Sequence, residues 1–360
     1  MQLLFYVPQM AAYGGIERHV CSLAAAAADE GHQVRLITTS NSLGEELRDK
    51  LHHLRIDFRE LPAPRMTVGG FTKLVWLYRA SRRPKGKAWD IIYTNGQSGL
   101  ARVVWSAAGK ATRIIHHHHN AADPDEQKTW SWLFRTVLRH APNLVGCSQS
   151  TCERLNAAVG RSDTAFLPYL TACPIDRSQV VERLPSHPLR FGLCGRLIPE
   201  KGIDTMIALA NDPNLVDIEW HIHGAGEAYP PSTFEGQSRI HYHGAYRSVR
   251  EHASALLNLD AAVLFSTHNE GMPLSLIESM SAGLPWIATD EGGTAELVHS
   301  LSESVLIPLR TGATDIARYV QALADHILLG RASRRRQREA YDRRFAPAIV
   351  TKLWMDFFAG

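Results

Sequence analysis

Residues 268–297 read HNEGMPLSLIESMSAGLPWIATDEGGTAEL and hold two acids eight positions apart, Glu270 and Glu278, around a glycine and a proline. The apolar run AAVLF precedes them. Pro273 suits the first turn of a helix, where its missing N–H would have no partner in any case. The backbone N–H groups from Met272 through Leu274 to Ser275 then point out of the helix start. Such an end attracts an anion, phosphate above all. Gly271 lets the backbone come close to a ligand. Glu270 flanks that anion site from the loop and Glu278 from the helix. Carboxylates accept hydrogen bonds from hydroxyls, so ribose or sugar groups are their natural partners. A plain buried helix with two solvated glutamates would not need the glycine, the proline and the paired acids together.

A second loop, LCGRLIPEKG at 193–202, puts Arg196 and Lys201 five positions apart after a strand. Two cations there can grip a diphosphate, although cations in loops are commonly just solvated. A third, YGGIERHV at 13–20, opens the first helix with Gly14 and Gly15. A fourth, HGAGE at 223–227, places Gly224 at a strand end and by itself reads as a turn. None of these is a G-x-G-x-x-G fingerprint, and G-x-x-x-x-G-K-[ST] does not occur, so dinucleotide and P-loop readings lose ground. The four consecutive histidines His116–His119 stand in a strand. Alternation sends His116 and His118 to one face and His117 and His119 to the other, so the four cannot share one metal. The pairs His221/His223 and His241/His243 alternate in the same way and are expected to be core or rim histidines.

Short apolar runs separated by amphipathic stretches supply the elements. LLFYVP, QVRLITT, DIIYTN, TRIIHHHH and NLVGCS are the strands of the first half, with helices near 71–82, 98–108, 127–140 and 149–158. LRFGLCG, DIEWHIHG, RIHYHG, AAVLFS, PWIATD and SVLIPL repeat the plan in the second half. Such alternation argues for parallel sheets covered by helices on both faces. The expectation is an α/β protein of two Rossmann-like, doubly wound domains, 1–168 and 189–345. The proline-rich stretch 169–188 links them, and a last helix near 346–360 crosses back to the first domain. Ligands of such sheets bind beyond the carboxyl ends of the strands, here in a cleft between the two domains.

The 360 residues are 45% hydrophobic and 21% charged, the composition of a globular protein with substantial cores. No apolar run reaches the length of a spanning helix, and the N-terminal MQLLFYVPQMAAYGG reads as a strand and loop rather than a signal peptide. Five cysteines without a C-x-x-C pair fit a reduced, cytoplasmic compartment. Net charge is +3, spread as +7 over residues 1–168 and −4 over 169–360. A basic first half suits an anionic partner, and ordinary surface variation explains it equally well. In GGFTKLVWLYRASRRPKGK, 69–87, Phe71, Leu74, Val75 and Tyr78 share one helical face, followed by Arg79, Arg82, Arg83, Lys85 and Lys87. Two readings stay open: a helix docking on an anionic membrane as a peripheral contact, or one packed on the sheet with a solvated basic turn.

Taken together, these motifs resemble the retaining glycosyltransferases of family 4, which have the GT-B architecture. The resemblance runs nearly the whole length. It rests on Gly14-Gly15 with Glu17, the strand ending in His119, VGCSQS at 145–150, GRLIPEKG, HGAGE, the Glu270–Glu278 spacing and SAGLPWIATDEGGTAE up to Glu296. The linker PYLTACPID departs from the Asn-Gly turn the family often has. The resemblance implies a sugar-nucleotide donor held mostly by the second domain. Arg196 and Lys201 would neutralise its diphosphate, with Gly15 offering backbone from the first domain. Glu278 would take the ribose hydroxyls. Glu270, with backbone from Gly271 to Leu274, would hold the sugar and distal phosphate. His119 would stand against the donor sugar, with His118 the alternative one register away. It also implies retention, no metal and no cofactor, the sugar nucleotide being a substrate. The first domain would bind a glycan or lipid-linked acceptor through loops that include Tyr13, Asn95 and Asn120, with surface-polysaccharide synthesis as the setting and no nucleic-acid partner.

Three other readings compete with this one. A non-hydrolysing sugar-nucleotide epimerase shares the architecture. A non-catalytic sugar-nucleotide-binding protein would not be expected to keep Glu270, Glu278, Arg196 and Lys201. A metallohydrolase on the four histidines lacks further ligands at suitable spacing.

Overall fold

The computed structural model describes residues 1–11, 15–39, 41–42, 45–61, 70–83, 87–108, 113–171 and 175–360. Tyr13, Gly14, Lys85 and Cys173 lie outside the described residues. The chain divides into two compact units, Met1–Ala172 with Pro347–Gly360, and Cys173–Ala346.

In the first unit the strands are β1 (Gln2–Val7), β2 (Met10–Ala11), β3 (Gln33–Thr38), β4 (Asn41–Ser42), β5 (Asp57–Glu60), β6 (Ile91–Asn95), β7 (Arg113–His118), β8 (Asn143–Gly146) and β9 (Ala165–Phe166). Seven of them form one parallel sheet in the order β5-β3-β1-β6-β7-β8-β9, while β2 and β4 pair separately. Its helices are α1 (Gly15–Asp29), α2 (Glu45–His53), α3 (Gly70–Ser81), α4 (Leu100–Ala108), α5 (Pro124–Thr129), α6 (Trp132–His140) and α7 (Gln149–Val159). The single helix expected over 127–140 is two. Asp123 caps α5 by accepting from the N–H groups of Asp125 and Glu126, Trp130 is extended, and the Ser131 hydroxyl accepts from Phe134 N to start α6. Each cap satisfies donors that a helix start leaves open, so the break costs little.

The second unit has β10 (Leu189–Cys194), β11 (Ile218–His223), β12 (Ile240–Gly244), β13 (Ala261–Leu264), β14 (Trp286–Thr289) and β15 (Ser304–Ile307), all parallel, in the order β12-β11-β10-β13-β14-β15. Its helices are α8 (Ile203–Ala210), α9 (Val249–Asn258), α10 (Leu274–Ser281), α11 (Ala313–Leu328) and α12 (Arg334–Arg344). The terminal helix α13 (Pro347–Ala359) belongs to the first unit, where Trp354 is fully buried and donates its indole N–H to Pro168 O at 2.9 Å.

Both sheets reverse direction next to their first strand, between β1 and β6 and between β10 and β13. Strands buried on both faces read as apolar runs, and β1 does from Leu3 to Val7, while β6 is apolar from Ile91 to Tyr93 and ends in the buried Thr94 and Asn95. The reversal leaves a crevice at the carboxyl ends of the two flanking strands, the place where open α/β sheets take ligands.

Candidate active site

In the second unit, the loops after β10 and β13 are the two that flank the reversal, and they carry the two motifs with charged residues. The β10 loop runs through Gly195 and Arg196 into a short 3-10 turn, Pro199–Lys201. The β13 loop carries Ser266, His268 and Glu270 to the start of α10. Lys201 Nζ donates to Glu270 Oε1 at 2.6 Å, and the Ser266 hydroxyl donates to the same oxygen at 2.5 Å. His268 Nε2 stands 3.9 Å away. Burial opposes the charge on Glu270. The Lys201 ammonium and its hydrogen bond, then the Ser266 hydroxyl and His268, outweigh it and hold the carboxyl below the usual range. Thr289 steadies this arrangement by donating to Ser266 O at 2.6 Å.

α10 begins at Leu274, with Pro273 as its N-cap residue rather than in its first turn. Leu276 N and Ile277 N donate to Pro273 O, and the N–H groups of Leu274 and Ser275 have no acceptor inside the helix. Gly271, Met272 and Pro273 are buried, while Leu274 and Ser275 are half-buried at the helix start. Glu278 is buried one turn on, with His252 Nε2 of α9 3.8 Å from its Oε2. Tyr246 stacks on His252, centroids 4.2 Å apart and planes within 7°. Burial raises the Cys194 thiol, and the Glu278 charge raises it further, which sets this carboxylate against the end of β10. Arg338 of α12 fixes the other end of α10 by donating to Ser281 O at 2.8 Å. Arg196 is exposed and has no ion-pair partner among the described residues.

Two glycines are there for close approach. A Cβ on Gly224 would stand 1.8 Å from Gly195 O, so HGAGE packs backbone to backbone on the β10 loop. Gly224, expected among the donor-binding residues, is here packed against the backbone of the β10 loop. Gly292, with φ +58°, would put a Cβ 1.7 Å from Glu270 O, and Gly293 N donates to that same oxygen at 2.9 Å. The EGG segment therefore clamps the Glu270 backbone.

In the first unit the histidines alternate. His116 and His118 face Phe134; His116 Nδ1 lies 3.1 Å from Thr94 Oγ1, and His118 Nε2 faces Glu126 Oε1 at 2.9 Å. His117 and His119 point the other way, to His19, Tyr169 and Tyr93. The Tyr93 hydroxyl lies 2.9 Å from His117 Nδ1 and 3.4 Å from His119 Nε2. Asn95 is buried with its Nδ2 3.2 Å from His119 Nε2, so within this unit it orients that ring. Tyr169 stacks on His119 and donates to its carbonyl at 2.9 Å. Burial, then neighbouring imidazoles, pushes His117 and His119 far below the usual histidine range, so both are neutral at pH 7. Asn120 is exposed at the end of this strand, and Gly15 opens α1.

Sequence reasoning did not find Ser266, His252, Tyr246 or Tyr93. His252 and Tyr93 act on residues brought near by topology, which no local spacing signals. The one available sign was the serine four positions before Glu270.

Two Rossmann-like units in one chain are the make-up of the GT-B fold. Residues 14–169 match the family description "Glycosyl transferase 4-like domain", and residues 188–326 match "Glycosyl transferases group 1". The chain belongs to the family-4 glycosyltransferases. It is 25% identical over 333 residues to a GDP-mannose-dependent alpha-mannosyltransferase of Mycobacterium tuberculosis, covering 84% of this chain and 82% of the relative. It is 26% identical over 253 residues to the GtfA subunit of a Streptococcus parasanguinis UDP-N-acetylglucosamine–peptide N-acetylglucosaminyltransferase, 66% of this chain and 49% of that one. The matched part is thus about half the length of the streptococcal protein. Among solved structures, Anabaena HepE in complex with UDP-glucose superposes with a TM-score of 0.76 at 17% identity, covering 100% of this chain and 99% of that chain. The lipopolysaccharide outer core galactosyltransferase WaaB superposes at 0.72 with 17% identity, covering 99% and 98%.

Proposed function

We propose that the chain transfers a sugar from a UDP- or GDP-sugar to a glycan or lipid-linked acceptor, with retention and without a catalytic metal. The setting is the building of a surface polysaccharide such as lipopolysaccharide or capsule. One observation carries the reading. The two switch-point loops of a single unit assemble a cation, a buried carboxylate and an open helix start, with a second carboxylate one turn further on.

In this reading Lys201 and the N–H groups of Leu274 and Ser275 take the diphosphate, joined by the exposed Arg196. They stabilise negative charge as it develops on the leaving phosphate oxygen, the role of a preorganised electrostatic site. Glu270, fixed by Lys201 and Ser266, holds sugar hydroxyls, and Glu278 holds the ribose. The bond from the anomeric carbon to the diphosphate breaks. The acceptor hydroxyl oxygen bonds to that carbon on the same face, and its proton passes to the departing phosphate oxygen. The carbon is oxocarbenium-like between these events. His119, neutral and oriented by Asn95 and Tyr93, offers a hydrogen bond to the sugar. Asn120 and the loop around Tyr13 contact the acceptor. The mycobacterial relative is named as GDP-mannose-dependent, the streptococcal one for UDP-N-acetylglucosamine, and HepE was solved with UDP-glucose, which supports this donor class.

Peripheral membrane contact is part of the proposal. No described helix is long and apolar enough to cross a membrane. α3, however, turns Leu77 and Ala80 inward and leaves Phe71, Leu74 and Tyr78 exposed, Phe71 at 79%. Exposed Arg79 and Arg82 follow on the same helix and the residue after it.

Incubating the protein with UDP- and GDP-sugars, with and without a lipid-linked glycan acceptor, tests the reading. Acceptor-dependent release of nucleoside diphosphate supports it. An epimeric sugar nucleotide appearing without acceptor would establish the epimerase reading instead.

A further inference from the structure

The C-terminal sheet has a second face rich in imidazole. Alternation along β11 sends Trp220 and Ile222 into the core and puts Glu219, His221 and His223 on the opposite side. On β12, Ile240 and Tyr242 pack with the core, so His241 and His243 join that same side. His221 is the direct partner of His241 across the parallel pair, and their rings lie 4.8 Å apart. His243 is already engaged: its Nε2 lies 3.0 Å from His221 Nδ1, and its ring stacks on His223 at 4.2 Å.

The other ends of two rings are not engaged. His221 Nε2 and His241 Nε2 are both shielded from water and have no hydrogen-bond partner. Both face Glu219 Oε2, at 3.8 and 3.5 Å, too far for hydrogen bonds. The ligand atoms of the three residues lie within 4.8 Å of one another. Donors around a tetrahedral ion with bonds of about 2.0–2.1 Å stand about 3.3–3.4 Å apart. Small ring rotations therefore close this triangle on an ion.

We propose that Glu219, His221 and His241 form a binding site for a divalent transition-metal ion of the zinc class. Two imidazole nitrogens and one carboxylate oxygen suit Zn2+, Co2+ or Ni2+, whereas Mg2+ and Ca2+ take oxygen ligands. One carboxylate between two imidazole nitrogens suits a dication. Arg190 beside Glu219 on β10 opposes it and Asp260 supports it. Burial, then His241, His243 and Arg190, lowers His221 to about 4, so protons do not compete for its lone pair near neutral pH. His243, bonded to the other nitrogen of His221, orients that ring as an outer partner does. The ion would strap the edge strand β12 to β11. His221, two residues before the end of β11, lines a pocket with His223, His243 and Tyr246, and Glu219 lies two residues further back; the ligands come from the sheet face and not from the β10 and β13 loops.

The test is Co2+ titration of the full chain without a polyhistidine tag, followed by visible absorption and by melting temperature. The expected result is one tight Co2+ with a tetrahedral-type spectrum and a raised melting temperature. His241→Gln and Glu219→Gln should each weaken binding at least about tenfold with metal-free melting temperatures unchanged. His223→Gln should leave it intact. Absence of Co2+ binding by the wild type, full binding by both His241→Gln and Glu219→Gln, or loss of binding in His223→Gln would overturn the proposal.

Discussion

Lowering the pH from 7 to 5 should unfold the N-terminal unit far more readily than its carboxylates alone would predict. His19 and His116 are fully buried, and burial brings both to about 3. Leu170 N donates to His19 Nδ1 at 2.9 Å, which fills one nitrogen of that ring without offering it a counter-charge. A histidine whose folded value lies below its unfolded value of about 6.5 binds its proton only in the unfolded chain. Its full contribution is therefore present above about pH 6.5 and is lost as pH falls from there toward about 3. At pH 5 each of the two has lost about 2 kcal/mol, from about 1.5 pH units at 1.36 kcal/mol each. Together they cost about 4 kcal/mol, and His117 and His119 shift in the same direction. For a domain of this size that is a fall of about 8–16 °C in melting temperature. Circular-dichroism melts at pH 7, 6 and 5 and constant ionic strength read it directly. Imidazole nitrogen resonances should show these rings neutral at pH 5. A melting temperature flat between pH 7 and 5, or imidazoles titrating near 6.5, would refute the reasoning.

Three further outcomes follow from the same geometry. Gly224→Ala forces a Cβ onto Gly195 O and should cost about 3 kcal/mol in denaturant unfolding of the C-terminal unit. His119→Ala should lower turnover by about a hundredfold or more with donor KM nearly unchanged, whereas His116→Ala should mainly lower melting temperature; steady-state kinetics beside thermal melts separate the two. Changing Arg82, Arg83 and Lys87 to Glu should weaken sedimentation with anionic vesicles by about a hundredfold, at roughly 1 kcal/mol per basic residue, and leave neutral vesicles unaffected.

The strands that carry the site were legible because buried parallel strands read as apolar runs, as LLFYV, AAVL and the start of IIYTN do. α2 and β5 were not, since EELRDKLHH has no wide apolar stripe and DFRE is too short to show a period. The split of 127–140 was written in Asp123-Pro124 and Ser131, two capping signals masked by the apolar periodicity on either side. Glu270 and Glu278 could be found from their spacing about a helix start. That Lys201, 69 positions away in sequence, bonds to Glu270 depends on strand order, which spacing does not encode. The exposed face of α3 was likewise open between two readings, because periodicity marks an apolar face without saying what covers it.

The central claim is that the β10 and β13 loops with α10 hold a nucleoside-diphosphate sugar. A thermal-shift panel of UDP-, GDP-, ADP- and dTDP-sugars tests it most directly, since a ligand stabilises only the state it binds, by about 2.7 kcal/mol at a hundredfold excess over Kd. At least one donor should raise the melting temperature of the wild type, and Lys201→Ala and Glu278→Gln should abolish that rise. No shift with any donor, or a shift that both variants keep, would contradict the account.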